Sequence, residues 1–142
     1  MDKSTLAYIA GFLDGEGCIS LSSNGTNRSV RVTFVQCDIR PLEKIQSLLG
    51  GAGQLTVFNS RRASKKKWKT HRYKVSGPGA VYLLEELLPY LIVKKEQAEI
   101  VIKYQKTLNQ KTHRLPQRLL QYRQSLIRNL PLAKKKHYVP VR

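Results

Sequence analysis

The stretch Leu6-Ala7-Tyr8-Ile9-Ala10-Gly11-Phe12-Leu13-Asp14-Gly15-Glu16-Gly17 decides how the rest of this chain is read. It begins as an apolar, helix-compatible run and closes on two carboxylates separated by one glycine. Asp2 or Ser4 is placed to cap a helix over about residues 5–13, and Gly15 and Gly17 mark its end. The carboxylates therefore stand where the helix stops. Around them the chain is strongly basic: 142 residues carry 26 Lys and Arg against 9 Asp and Glu, a formal net charge of +17. An acidic tip on a positive protein is an expected place to hold a divalent metal against a phosphate.

The charge excess predicts a polyanionic partner, nucleic acid first, although a ribosomal or membrane-surface protein would share it. Its distribution says more. No acid lies between Glu16 and Asp38, or between Glu43 and Glu85, and both gaps read as strands. A positive extended surface and a separate helical layer follow. The length predicts one domain, taken as residues 1–130, with a basic C-terminal tail at 131–142 that reads as flexible from Lys134 to Arg142. Cys18 and Cys37 are too few for a disulfide framework or a zinc site and read as reduced thiols. His71, His113 and His137 are scattered, and no Ser-His-Asp or Cys-His constellation is visible. No apolar run approaches the roughly 20 residues of a membrane span. The expectation is a soluble intracellular protein, in an organelle or a prokaryotic cytoplasm, with no membrane partner.

Beyond the opening helix, residues 18–23 alternate, with Ile19 and Leu21 on one side. Asn24-Gly25 is a strong turn dipeptide. Residues 28–36 alternate again, with Val30, Val32 and Phe34 opposite Ser29, Arg31 and Thr33. Asp38 opens a second helix with Pro41 in its first turn and Leu42, Ile45, Leu48 and Leu49 at helical spacing, ended by Gly50-Gly51-Ala52-Gly53. A second hairpin spans 54–60 and 67–76 around a basic tip. Leu55, Val57, Tyr73 and Val75 are assigned inward, Arg72 and Lys74 outward. Three more helices follow: one after Pro78, one over 94–108, and one over about 116–128. The fold class is α+β, an antiparallel sheet with helices on one face and a polar, positive opposite face.

With these elements in place, Ile9-Ala10-Gly11-Phe12-Leu13-Asp14-Gly15-Glu16-Gly17 resembles the signature of the LAGLIDADG homing endonucleases. The resemblance continues through Phe34-Val35-Gln36, the helix from Leu42 to Gly50, and Pro89-Tyr90-Leu91-Ile92-Val93-Lys94-Lys95-Glu96-Gln97-Ala98. It covers most of residues 6–108. It implies an αββαββα fold, here with extra C-terminal helices, that pairs as a homodimer by packing signature helices at a two-fold axis. Gly11 and Gly15 leave a smooth stripe for that approach, and Ala7, Ala10, Gly11 and Asp14 are the expected interface residues. Asp14 is read chiefly as a capping or hydrogen-bonding residue.

The resemblance further implies metal-dependent hydrolysis of both strands of a long, roughly palindromic DNA site, with cuts across the minor groove leaving short 3′ overhangs. Glu16 takes the place of the metal-binding acid, joined by the Gly15 carbonyl. Mg²⁺ is the expected ion, with Mn²⁺ able to substitute. Gln36 and Lys94 match active-site positions, the first to orient water and the second to stabilise transition-state charge. Arg40 matches a basic residue near the site. The DNA-reading set is the polar face of both hairpins: Ser20, Ser22, Asn24, Thr26, Asn27, Ser29, Arg31, Thr33, Gln54, Thr56, Ser60, Arg61, Arg62, Arg72 and Lys74. Lys65, Lys66, Lys67 and Lys69 are assigned to phosphates. The rival readings are a non-cleaving binder, such as an intron RNA maturase or a transcription factor, and a basic ribosomal-type protein.

Overall fold

A computed structural model describes residues 1–24, 27–57, 69–108 and 115–136, the side chains of Asn24 and Asn27 excepted. In chain order the elements are α1 (Lys3–Glu16), β1 (Gly17–Asn24), β2 (Asn27–Gln36), α2 (Arg40–Leu48), β3 (Gln54–Val57), β4 (His71–Ser76), α3 (Pro78–Leu87), α4 (Lys95–Leu108) and α5 (Gln117–Lys135). A short 3₁₀ turn, Leu88–Tyr90, follows α3. The four strands form one antiparallel sheet in the order β1-β2-β4-β3. This is the αββαββα arrangement with α4 and α5 added.

The period-two pattern selects the buried face. Ile19, Val30, Val32, Phe34 and Tyr73 are fully buried. They meet Leu6, Ile9, Ala10 and Leu13 of α1, Leu42 and Ile45 of α2, and the apolar stripes of α3 and α4 in one core. An aromatic ladder ties the first helix to the sheet: Phe12 lies 6.0 Å from Phe34, and Phe34 stacks on Tyr73 at 5.9 Å. Contacts at these separations add to the burial of large rings. Leu55 lies on the core side, partly buried opposite Tyr73. Val57 has the same parity but is 49% exposed at the sheet edge.

Two helix boundaries differ from the sequence reading. First, α1 runs through Gly15 to Glu16, with Asp2 as its N-cap accepting from the Thr5 N–H. The stop is Gly17, whose N–H donates to the Leu13 carbonyl. A Cβ at Gly17 would lie 2.3 Å from Leu13 Cδ1 and 2.7 Å from the Leu13 carbonyl oxygen. Close approach, and not a special backbone conformation, requires the glycine here.

Second, α5 begins at Gln117 and extends to Lys135, passing through Pro131. The boundary set at residue 130 therefore falls inside α5, and the helix runs on through Lys134 and Lys135, the first two residues of the stretch read as flexible. Proline removes one helical hydrogen bond and usually breaks the helix. Burial of Leu130 and Ala133 on either side of Pro131 carries the helix past it. The docking of α5 is also polar: Arg123, itself buried, donates to the Thr107 hydroxyl (2.9 Å) and carbonyl at the end of α4. Smaller shifts occur at α2, which starts at Arg40 with no side-chain cap, and at β4, which starts at His71.

Candidate active site and nucleic-acid interface

The end of α1 is the structural centre of the site. Its last turn contains Asp14, Gly15 and Glu16 and no basic residue. A helix C-terminus carries a partial negative charge, so each carboxylate there is disfavoured by about 0.3–1 kcal/mol. The two acids meet that cost differently. Asp14 Oδ2 accepts from the backbone N–H groups of Ile92 (2.8 Å) and Val93 (3.2 Å), and Oδ1 accepts from that of Lys94 (2.9 Å). It ties α1 to the segment leading into α4, across the chain and within one protomer. Glu16 is exposed and has no ion pair among the described residues.

Lys94 stands directly against this turn. Its ammonium donates to the Asp14 carbonyl oxygen. Burial pushes the lysine below its ordinary value, Asp14, Cys18 and Glu16 pull it back up, and the ammonium of Lys134 pushes it down again. Gln36 ends β2, two residues beyond Phe34, which pairs with Gly17, so it lies at the same end of the sheet. Its side-chain oxygen accepts from the Cys37 N–H at 2.9 Å. Glu16 and Lys94 are thus brought together, while Gln36 makes no hydrogen bond to either.

The outward face of the sheet is continuous and polar. Register places Cys18, Thr33, Lys74 and Gln54 in one row across all four strands, Arg72 beside Thr56 in the next, and Ser20 beside Arg31 with Ser22 beside Ser29 toward the hairpin tip. The Arg31 Nε is covered yet has no hydrogen-bond partner among the described residues, so this guanidinium carries unused donor capacity on that face. Lys69 is exposed just before β4. Arg40 is exposed at the start of α2, where Asp38 grips its guanidinium and holds its own carboxyl down at about 2. Thr26, Ser60, Arg61, Arg62, Lys65, Lys66 and Lys67, and the side chains of Asn24 and Asn27, lie outside the described residues.

A family model described as a LAGLIDADG-like domain matches residues 3–128. The chain belongs to the LAGLIDADG family. Among solved structures this LAGLIDADG chain is similar to the homing endonuclease I-CvuI in complex with the I-CreI target. There the identity is 24%, the match covers 98% of this chain and 87% of that one, and the TM-score is 0.73. It is similar to I-CvuI in complex with its own target at 25% identity, covering 97% and 87%, with a TM-score of 0.69. It is also similar to the LAGLIDADG homing endonuclease I-GzeII in complex with a DNA target, at 22% identity, covering 96% of this chain but 50% of that one, with a TM-score of 0.70. No curated protein sequence matches the chain.

Within the LAGLIDADG fold, the assigned interface residues divide. Ala7 and Gly11 are exposed on α1, and Gly15 follows them one turn on. Cβ atoms built at Gly11 or Gly15 would meet nothing within 4 Å. Ala10 points the other way and is fully buried in the protomer's own core, because the helix repeat places it with Leu6 and Leu13. Asp14 is committed to residues 92–94. Among the described residues no cluster of three or more His, Cys, Asp or Glu could hold a metal, so one chain offers only Glu16 and carbonyls such as that of Gly15. These are hard oxygen donors, the type that Mg²⁺ takes. No helix among the described residues is long and apolar enough to cross a membrane.

Three contacts escape sequence reasoning. The Arg28 N–H donates to the Tyr104 hydroxyl at 3.1 Å, so α4 braces the first hairpin near its tip. Gln97 lies buried next to Lys94's loop, and the α5 residue Lys134 reaches Cys18 at 3.7 Å. The first and last join residues far apart in sequence, and no local pattern marks them.

Proposed function

We propose that this protein is a site-specific endonuclease that hydrolyses both strands of duplex DNA as a homodimer, with a divalent ion, Mg²⁺ or Mn²⁺, held by Glu16 and the Gly15 carbonyl. The observation that carries the reading is the exposed Glu16 carboxylate at the negative end of α1, beside Lys94 and at the margin of a basic sheet face. Such a carboxylate is unfavourable in the free fold and favourable once a cation sits on it.

The homodimer is supported by the exposed stripe of Ala7, Gly11 and Gly15. Gly11, in the helix interior, costs about 1 kcal/mol relative to alanine, and no contact within the chain requires a glycine at Gly11 or Gly15. Close approach of a second α1 does. A two-fold axis through that stripe would bring two Glu16 carboxylates together and double the donors available to the ions. I-GzeII, of which this chain matches half, has room for two such units in one polypeptide.

Each group then has a task. Ser20, Ser22, Ser29, Arg31, Thr33, Gln54, Thr56, Arg72 and Lys74 read base edges from a β-ribbon in the major groove. Lys69 and the basic hairpin tip hold phosphates and set the register. When bound, the divalent ion supplies charge that polarises the scissile phosphate and lowers the pKa of a water. The Gln36 amide N–H₂, its oxygen being taken by Cys37, is left to orient that water. The water oxygen bonds to phosphorus, one P–O ester bond breaks, and the departing oxygen takes up a proton. The Lys94 ammonium faces the negative charge that builds on the phosphate. A symmetric dimer selects a pseudo-palindromic site.

The test is Glu16→Gln, assayed by mapping double-strand breaks in a plasmid library with Mg²⁺. The variant is expected to lose cleavage and keep DNA binding. Full cleavage by Glu16→Gln removes the metal assignment. Binding of structured RNA with no cuts by the parent chain replaces the endonuclease with a non-cleaving binder.

A further inference from the structure

The first hairpin reaches beyond the sheet that carries it. β2 pairs with β4 from Arg31 to Gln36, and the Gly77 N–H closes that edge by donating to the Val30 carbonyl at 2.8 Å. β1 and β2 go on pairing past this point, with Ser22 opposite Ser29, Ser23 opposite Arg28 and Asn24 opposite Asn27. Residues two apart on a strand direct their N–H and C=O groups to the same edge. The Arg28 N–H therefore points where β4 would lie if it continued, and the described sheet offers no acceptor there. A two-stranded hairpin has little stability of its own, so the pose of this overhang is set by another layer.

That layer is α4. Tyr104 is only 3% exposed, and its hydroxyl accepts the Arg28 N–H at 3.1 Å. The turn that carries it is pinned in its own right. The Tyr104 carbonyl accepts from the Thr107 hydroxyl at 2.6 Å, and that hydroxyl accepts from Arg123 Nε of α5 at 2.9 Å. The phenolic oxygen thus takes the place of the missing strand. Phenylalanine would fill the same core space, so the hydroxyl serves the hairpin and not the packing. None of the roles proposed above uses it.

The overhang carries two of the outward side chains, Ser22 and Ser29. Ser22 stands five residues beyond Gly17, about 17 Å along the strand, a length of about five base pairs of duplex. The tilt of the overhang therefore decides which base edges, far from the end of α1, these serines meet.

We propose that Tyr104 is a positioning residue for sequence recognition. By holding the Arg28 N–H it sets the pitch of the β1–β2 overhang, and so specifies the base pairs at the outer end of each half-site. The inference rests on the base-reading role assigned above to the sheet face. It adds a determinant that acts from the core side of the sheet.

The experiment compares the full-length parent with Tyr104→Phe and with Tyr122→Phe, which removes a hydroxyl from a tyrosine that is 46% exposed on α5. Hydrogen exchange at the Arg28 amide is expected to quicken about fivefold in Tyr104→Phe and to stay unchanged in Tyr122→Phe. Each protein then selects from a pool of randomised DNA duplexes, and the bound fraction is sequenced. Tyr104→Phe is expected to lose about fivefold of its discrimination at the outer base pairs. It should keep its preference at the inner ones and bind an unselected duplex as tightly as the parent. Loss spread evenly over all positions is what general loosening would produce, and it overturns the proposal. So does a selected sequence as sharp as the parent's, or an Arg28 amide that exchanges no faster. A parent that enriches no sequence at all refutes the base-reading role of the sheet face, and that outcome is visible before any variant is compared.

Discussion

Gly11→Ala should have opposite effects on the protomer and on the dimer. Gly11 sits in the interior of the 14-residue α1, and a Cβ there would touch nothing within 4 Å. The substitution therefore adds no strain inside the chain and gains the helix-propensity difference, about 1 kcal/mol. For a chain of this length that corresponds to a rise in Tm of about 3 °C. At a two-fold contact the same methyl enters twice, once from each helix, where two backbones approach. Overpacking of this kind costs about 1–3 kcal/mol, and 2 kcal/mol weakens the dimer about thirtyfold. Gly11→Leu extends the effect to complete dissociation. Urea unfolding at concentrations where the chain is monomeric reads the first quantity, and sedimentation equilibrium reads the second. A Gly11→Leu protein that dimerises as tightly as the parent would refute the reasoning, because Gly11 would then face solvent. So would a Gly11→Ala protomer less stable than the parent.

Three further outcomes are expected. Gly17→Ala should destabilise the chain by about 2 kcal/mol, since its Cβ would meet the buried Leu13 and that residue's carbonyl; denaturant titration checks this, and a neutral result would mean that the helix end shifts freely. Asp14→Ala should cost about 2 kcal/mol and raise hydrogen exchange at Ile92, Val93 and Lys94, whose N–H groups it holds; unchanged protection there would show the tether to be dispensable. Asp2, held down to about 2 by the Ser4 hydroxyl and the Thr5 N–H and hydroxyl, is depressed relative to the ordinary 3.8. Its contribution to the start of α1 is therefore complete above pH 3.8 and is lost as the pH falls through about 2. The Thr5 amide shift in an NMR titration should report a midpoint near 2, and a midpoint near 4 would contradict the cap.

The elements most legible in the sequence are those whose pattern is local. Val30, Val32 and Phe34 alternate with Ser29, Arg31 and Thr33 and fall on the two faces as their spacing requires. The α2 stop at Gly50-Gly51-Ala52-Gly53 is equally plain, because Gly50, Gly51 and Gly53 take positive φ. What stayed hidden depends on partners distant in sequence. Ala10 is the exception, for its burial was readable from the local helix repeat it shares with Leu6 and Leu13. Gly15 reads as a terminator, but with no Cβ clash and no special φ it leaves α1 free to run on to Glu16. Pro131 with the lysines after it reads as a tail. The surface that α4 offers to Leu130 and Ala133 outweighs it, and a surface on another helix is not written locally.

The manner in which Lys94 is fastened has an engineering consequence. Both the side chain and the main chain of Asp14 grip the 92–94 loop, so this lysine hangs from the first helix, while the outward Cys18 bears only on its charge. Those outward residues, in turn, stand on a sheet whose packing comes entirely from its other side. On the proposed function, outward positions such as Ser20, Thr33 or Gln54 can therefore be exchanged to retarget the protein without loosening the anchor of Lys94.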